Sequence, residues 1–493
     1  MSKSQIKFYR KNVMAEVIGD EHGITDRQFA ELGEKVEPLI PVVAREIAGH
    51  DRHPDITRTV YGSLPTNTEI AAGVMKLVGE LKDKCDNLVV LGIGGSALGN
   101  IAVQTALNPY MYNLSKDQRG RSPRLFVFDN VDPDQFGSFL KDIDDQLDRT
   151  IFNFISKSGR TAETAAQFLI IRELLAKRGP QYLADHVVVT TGFEIDDDGK
   201  PTSTLYRIAK AAEPNLTLLE VPQHVGGRFT VLSAVGLFSA AMCGIDIEEM
   251  LAGAADMESR VTCTDFKKNP AAINAAINYH YYDRGKRNSV IMPYSYALKD
   301  MADWYRQLWA ESLGKKVNLS GREVWVGPTP VKALGVTDQH SQVQLYREGP
   351  NDKLFTFLQV EKFSREDIVM GPAPDCAPEL DYLAGKSMAA LLNNEKKATE
   401  YALLNDERPC LTVLFDEVNA YTVGQFIFFF EATTSFVGAL FDIDPYNQPA
   451  VELGKDATFA LMGKKGAYTS DCTYEQFAER IRAKTDIDES YLV

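Results

Sequence analysis

The chain has 493 residues, 44% of them hydrophobic and 25% charged, the make-up of a globular protein too long for a single core, so two to four domains are expected. A formal net charge of −15 argues against a general nucleic-acid or anionic-membrane surface, and any anion site must be built locally. Six scattered cysteines with no C-x-x-C pair and no histidine at metal spacing, no apolar h-region after Met1 and no apolar run of about 18 residues predict a cytoplasmic, reducing setting without zinc, disulfide frame or membrane span.

Residues 1–82 read as a polar, helical N-terminal extension, with apolar positions three and four apart in 40–47 and 70–81. Gly62 and Pro65 break that pattern and predict a loop over 58–65 (RTVYGSLP). The texture changes at Leu88-Val89-Val90-Leu91, a continuous apolar run ending in Gly92-Ile93-Gly94-Gly95-Ser96. It predicts a strand buried on both faces, a glycine turn, and a helix from about Ala97. The unit recurs: Leu125-Phe126-Val127-Phe128 ends in Asp129-Asn130, Ile151-Phe152-Asn153-Phe154-Ile155 in residues 156–164 (SKSGRTAET), and Val187-Val188-Val189-Thr190 in Thr191-Gly192. Strands alternating with helical stretches predict a mainly parallel sheet over 83–250, with its ligand beyond the carboxyl ends of the strands. An alanine-rich helical pattern predicts a connector over 251–282. A second strand series (290–292, 324–326, 354–360 and 411–415) predicts a second α/β domain over 283–449, with no residue-by-residue repeat of the first. The tail, 450–493, reads as a helix, a Lys464-Lys465-Gly466 break and a last amphipathic helix over 473–484. The expected fold class is therefore α/β: two α/β/α sandwiches with mainly parallel sheets, plus helical N- and C-terminal extensions.

Residues 156–164 carry the strongest local signal. Hydroxyls of Ser156, Ser158 and Thr161 and the amine of Lys157 gather where a strand stops and a helix starts, so free backbone N–H groups and the positive end of the helix dipole face the turn. The plain alternative, an N-cap at Thr161, accounts for one hydroxyl only. Residues 92–97 (GIGGSA) also satisfy a dinucleotide-type G-x-G-x-x-A pattern, but the ribose-binding acid expected about 20 residues on is missing. Further along, Arg228 follows Gly226-Gly227 and can approach a ligand closely with a permanent charge. Glu311 ends an amphipathic helical pattern holding two tryptophans, where a carboxylate beside apolar surface would have a raised pKa and serve as a base, or would simply be solvated. His340 lies in a polar stretch, TDQHSQ, and Lys455 closes VELGK.

Together, LGIGGSALG (91–99), ISKSGRTAET (155–164), GGRFTVLSAVGL (226–237), ESLGK (311–315), TDQHSQ (337–342) and QPAVELGK (448–455) resemble the glucose-6-phosphate isomerase (phosphoglucose isomerase) family, built from two sugar-isomerase (SIS) domains. The resemblance implies a cofactor-free, metal-free aldose–ketose isomerase acting on glucose 6-phosphate and fructose 6-phosphate. Ser96, Ser156, Lys157, Ser158 and Thr161 would hold the sugar phosphate, and Gly95 would let the backbone approach. Gln307 and Gln448 match positions that line the pocket. Glu311 matches the base, Arg228 the group that stabilises the enediolate, and His340 and Lys455 the groups that open the sugar ring. A homodimer is implied, with His340 reaching the pocket of the neighbouring subunit. Other readings are a dual phosphoglucose and phosphomannose isomerase and a non-catalytic sugar-phosphate-binding regulator; a regulator would need the phosphate loop but no base.

Overall fold

Short apolar runs become strands here because both of their faces are covered. The computed structural model describes residues 4–493, and its strands fall in chain order at β1 (Ile6–Tyr9), β2 (Asn87–Leu91), β3 (Arg124–Phe128), β4 (Thr150–Ile155), β5 (Val187–Thr191), β6 (Thr217–Glu220), β7 (Asn288–Pro293), β8 (Lys315–Val317), β9 (Glu323–Val326), β10 (Thr329–Lys332), β11 (Lys353–Val360) and β12 (Cys410–Phe415). The first sheet has the order β3-β2-β4-β5-β6, parallel throughout. The second has the order β1-β12-β11-β7-β10, parallel except for β1. The fold is thus mixed α/β with mainly parallel sheets, and every residue of β2, β4 and β5 is buried.

Four features depart from the sequence reading. Residues 6–9, expected to be helical, add an antiparallel edge to β12, and the Ile6 N–H donates to Gln425 Oε1 at 2.9 Å. The fifth strand of the first sheet, β6, is short and half-exposed, so it carries no continuous apolar run. Strand β9, expected in the second sheet, instead forms an antiparallel hairpin with β8. The sheet edge it was expected to supply is β10, where Pro330 is tolerated because only one neighbour needs its hydrogen bonds.

The fourth is the 21-residue helix Ala420–Leu440. By length and composition it could cross a membrane, with mean hydropathy 1.4 over an 18-residue window, contrary to the expectation that no run is that apolar. Of that window, 89% is buried inside the protein, which makes it a core helix. Glu431 is its one ionisable acid or base of the Asp, Glu, Lys and Arg types, and burial pushes its carboxyl well above the usual range. The helices Ile247–Val261 and Pro270–Asp283, where a connector was expected, pack against it. At this crossing a Cβ on Gly253 would lie 1.9 Å from the Tyr421 carbonyl oxygen, and one on Gly424 1.9 Å from that of Met250. Glycine at both places is what lets the two backbones touch.

The chain divides into two compact units, Met1–Tyr446 and Asn447–Val493, and both large sheets belong to the first. The second unit consists of the helix Glu452–Leu461, a hairpin of β13 (Ala467–Thr469) and β14 (Cys472–Thr473), and the helix Tyr474–Thr485. Its small core gathers Ala460, Tyr474 and Ala478, with Tyr468 stacked on Phe477 at 4.2 Å.

Candidate active site

In the first sheet the chain leaves β2 for β3 on one side and returns to β4 on the other, so the turns after β2 and β4 diverge and leave a crevice between them. After β4, Ser156 is buried; its Oγ shares a 2.8 Å hydrogen bond with Thr161 Oγ1 and accepts the Gly159 N–H at 3.1 Å. Ser158 is exposed, and its Oγ accepts the Arg160 N–H at 3.2 Å. Gly159 has φ +63°, and a Cβ there would sit 2.4 Å from the Leu205 nitrogen, so both conformation and space require glycine. The helix Ala162–Ala176 starts after Thr161, whose side chain does not cap it. The hydroxyl is engaged with Ser156, and the first N–H groups of the helix are left for another acceptor. Lys157 donates to the Val225 carbonyl at 3.3 Å and pairs with Glu194 at 3.5 Å. Glu194 was not anticipated, since nothing in its local sequence marks it as facing this turn.

The turn after β2 is held against two other segments. Gly94 has φ +58°, and a Cβ there would come within 2.8 Å of Gln307 Nε2. A Cβ on Gly95 would lie 2.1 Å from the Gly227 carbonyl oxygen, so the absence of a side chain brings residues 226–228 onto this turn. Ser96 is half-buried, and its carbonyl accepts from Asn100 Nδ2 at 2.9 Å.

Arg228 sits beside this contact and is 2% exposed. Its Nε donates to Ser312 Oγ at 2.6 Å, one terminal nitrogen to Glu311 Oε2 at 3.3 Å, and the other to the Pro445 carbonyl at 2.7 Å. Burial lowers the guanidinium's pKa, while Glu311 and Asp444 act in the opposite sense; an arginine starting this high stays charged. Glu311 lies in the last turn of the helix Lys299–Leu313. Trp304 and Trp309 are fully buried on that helix, whereas the Glu311 side chain is 35% exposed, so the tryptophans face the core and the carboxylate lies towards solvent. Gln307, one turn earlier, donates to Glu311 Oε1 at 3.3 Å. Both carboxylate oxygens are therefore oriented by fixed donors. Lys315 follows at the start of β8, 9% exposed, and its Nζ donates to the Glu311 main-chain carbonyl at 2.6 Å. Burial, with Arg228 adding to it, pushes this lysine down to about 8.

The Pro445 carbonyl is held by a strap, residues 442–446, that the N-terminal segment clamps. Arg52 donates to the Ile443 carbonyl at 2.7 Å. Thr57 donates to Asp444 Oδ2 through its N–H at 3.0 Å and through its hydroxyl at 2.7 Å. Tyr446 Oη donates to Glu46 Oε1 at 2.6 Å, and Arg52 pairs with the same carboxylate. Tyr61 stacks on Phe229 at 4.8 Å, directly after Arg228. Ser312 and Lys315 could have been singled out from ESLGK; a main-chain carbonyl such as that of Pro445 leaves no trace in a sequence.

Three expected residues remain, His340 in the first unit and Gln448 and Lys455 in the second. His340, in a short 3-10 turn (Thr337–His340), is exposed, and its side chain makes no hydrogen bond within the described residues. Lys455 and Gln448 belong to the second unit. Lys455 is exposed and pairs with Glu452 at 2.7 Å, and Gln448 precedes the short turn Pro449–Val451. Among the described residues no group of three or more His, Cys, Asp or Glu side chains is placed to hold a metal ion.

The family profile of phosphoglucose isomerase matches residues 48–471. A glucose-6-phosphate isomerase of Carboxydothermus hydrogenoformans is 48% identical over 399 residues, covering 81% of this chain and 83% of the relative. A probable glucose-6-phosphate isomerase of Methanococcus maripaludis is 35% identical over 464 residues, 94% of this chain and 95% of that one. Among solved structures, a hypothetical protein from Thermus thermophilus superposes with a TM-score of 0.78 at 30% identity, covering 93% of this chain and all of the other. A glucose-6-phosphate isomerase from Chlamydia trachomatis shares the fold, with a TM-score of 0.75 at 22% identity over 93% of this chain and 90% of its own.

Proposed function

The chain belongs to the phosphoglucose isomerase family, and from that premise we propose that it interconverts glucose 6-phosphate and fructose 6-phosphate through the Glu311–Arg228 pair. The observation that carries the assignment is a partly exposed carboxylate oriented by Gln307, which lies against the turn after β2, and by an arginine that is itself 2% exposed. In this reading Glu311 takes the C2 proton of the open-chain sugar and returns it to C1, and the electron pair goes to the carbonyl oxygen to give an enediolate. The same carboxylate serves both transfers. Arg228 stabilises the negative charge as it develops, and because its fork is already fixed no reorganisation is needed at that moment.

The turn holding Ser156, Lys157, Ser158 and Thr161, with Ser96 and Gly95 across the crevice, takes the phosphate. Its support is the uncapped start of the helix Ala162–Ala176 with hydroxyls gathered before it. Phosphate binding away from the reacting carbons orients them. His340 and Lys455 open the ring, the histidine as a proton shuttle, and Gln307 and Gln448 line the sugar. We further propose a homodimer in which His340 acts in the pocket of the neighbouring subunit, since its side chain is exposed and makes no hydrogen bond within the described residues.

A coupled assay with fructose 6-phosphate in the presence of a chelator tests the activity: turnover that survives chelation is expected, and none from folded protein would sink the enzymatic reading. Mannose 6-phosphate in the same assay tests the dual specificity. In Glu311→Gln, solvent exchange of the C2 proton should fall on the order of a thousandfold with phosphate binding kept; retained exchange removes Glu311 from the base role.

A further inference from the structure

Lys315 takes no part in the mechanism above, yet its placement is costly unless it serves the site. An ammonium that merely caps the end of a helix can do so from the surface, where water solvates it. This one is 9% exposed, reaches back to the main-chain carbonyl of Glu311 at 2.6 Å, and lies near a second buried cation. The charged groups acting on it are Arg228 from the turn after residues 226–227, Asp444 from the strap, and Glu311 from the helix it follows. Asp444 is 6% exposed and fixed by Thr57.

We propose that Lys315 is a positioning residue for the isomerisation: it anchors the backbone of the base and supplies the second positive charge against which the enediolate forms. The charge balance shows why. With Lys315 protonated, two cations and two carboxylates make the cluster formally neutral. When Glu311 takes the C2 proton it loses its charge, the electron pair moves onto the substrate oxygen, and the cluster becomes positive opposite a new negative charge. With Lys315 deprotonated the cluster is negative at the outset, and after transfer Arg228 and Asp444 already cancel, leaving nothing for the enediolate. Proton abstraction is then disfavoured by the same field that otherwise drives it. The inference rests on Glu311 being the base.

Titration also separates this role from a purely structural one. A lysine whose folded value is pushed to about 8 binds fewer protons in the folded than in the unfolded chain. Its contribution to stability therefore rises with pH from about 8 up to the ordinary lysine value. Activity should move the opposite way over that window. In the wild type, kcat is expected to fall above about pH 8 with no accompanying fall in Tm attributable to this group.

The test is kcat, KM and their pH profiles for the wild type, Lys315→Met and Lys315→Arg, with fructose 6-phosphate as probe. Lys315→Met is expected to lose about tenfold or more in kcat, to keep KM within about threefold, and to show no fall near pH 8. Lys315→Arg should recover part of kcat and carry the fall to higher pH. A wild-type profile without that fall, Lys315→Met with wild-type kcat, or a variant altered only in Tm would each overturn the proposal. If Lys315→Met does not fold, the wild-type and Lys315→Arg profiles decide: the same fall at the same pH in both overturns it. Loss of C2 exchange in Glu311→Gln alongside an unaffected Lys315→Met rejects Lys315 alone, whereas retained exchange in Glu311→Gln rejects the base that it serves.

Discussion

Arg228 and His340 were marked by the same kind of sequence signal, and they end in opposite surroundings. Arg228 is 2% exposed, each of its three nitrogens donates to a different fixed acceptor, and a clamped strap supplies one of those acceptors. His340 is exposed on a short turn and is not engaged within the described chain. A group that stabilises developing charge gains from being immobile before the substrate arrives, because its orientation is then paid for in folding. A proton shuttle for the sugar ring has no such need, and an exposed histidine is free to be completed by whatever covers it. In the proposed site the arginine is thus pre-set and the histidine left open.

The contrast can be broken first at its rigid side. Arg228→Ala should lower kcat on the order of a hundredfold and also lower Tm, since Ser312 and the Pro445 carbonyl lose their partner in the interior. Arg228→Lys should recover little, because an ammonium cannot serve three divergent acceptors from one position. Full recovery by lysine would mean that only the charge matters. At the open side, His340→Ala should cost on the order of a hundredfold in turnover of the cyclic sugar with Tm unchanged. If the histidine acts across a dimer, mixing Glu311→Gln with His340→Ala protein should restore turnover in the mixed dimers, one of whose sites is whole. No restoration from a verified mixed dimer would place His340 in its own subunit's site. The smallest effect belongs to the turn proposed to take the phosphate. Thr161→Val removes one hydroxyl, so KM should rise about tenfold, equivalent to roughly 1.5 kcal/mol for a hydrogen bond to a charged group, with kcat little changed. A change in kcat alone would detach that turn from phosphate binding.

The turns that build the crevice were legible because chemistry and punctuation coincide there: apolar runs end abruptly in Gly92 or Ser156, and Lys157 with the hydroxyls beside it has no packing reason to follow them. The family motifs pointed to the same residues. What holds these residues was less visible. The helix Ala420–Leu440 is apolar on every side, so it shows no helical period, and it escaped notice although it lies in the centre of the core. Strands β6 and β10 are short edges whose half-exposed residues imitate loop composition. The acceptors on Arg228 include a main-chain carbonyl, and the clamp on Asp444 joins positions 387 residues apart in the chain. Local pattern cannot report either of these.

The clamp also bears on where this enzyme can be cut or allowed to vary. Glu46, Arg52 and Thr57 carry no chemistry and precede the first strand of the parallel sheet, so an alignment scored on catalytic motifs would treat them as expendable. They nevertheless set the height of the Pro445 carbonyl to which the arginine is tethered. The smallest fragment that keeps the arginine aimed therefore begins upstream of Glu46, and a substitution in that stretch would loosen a group it never touches.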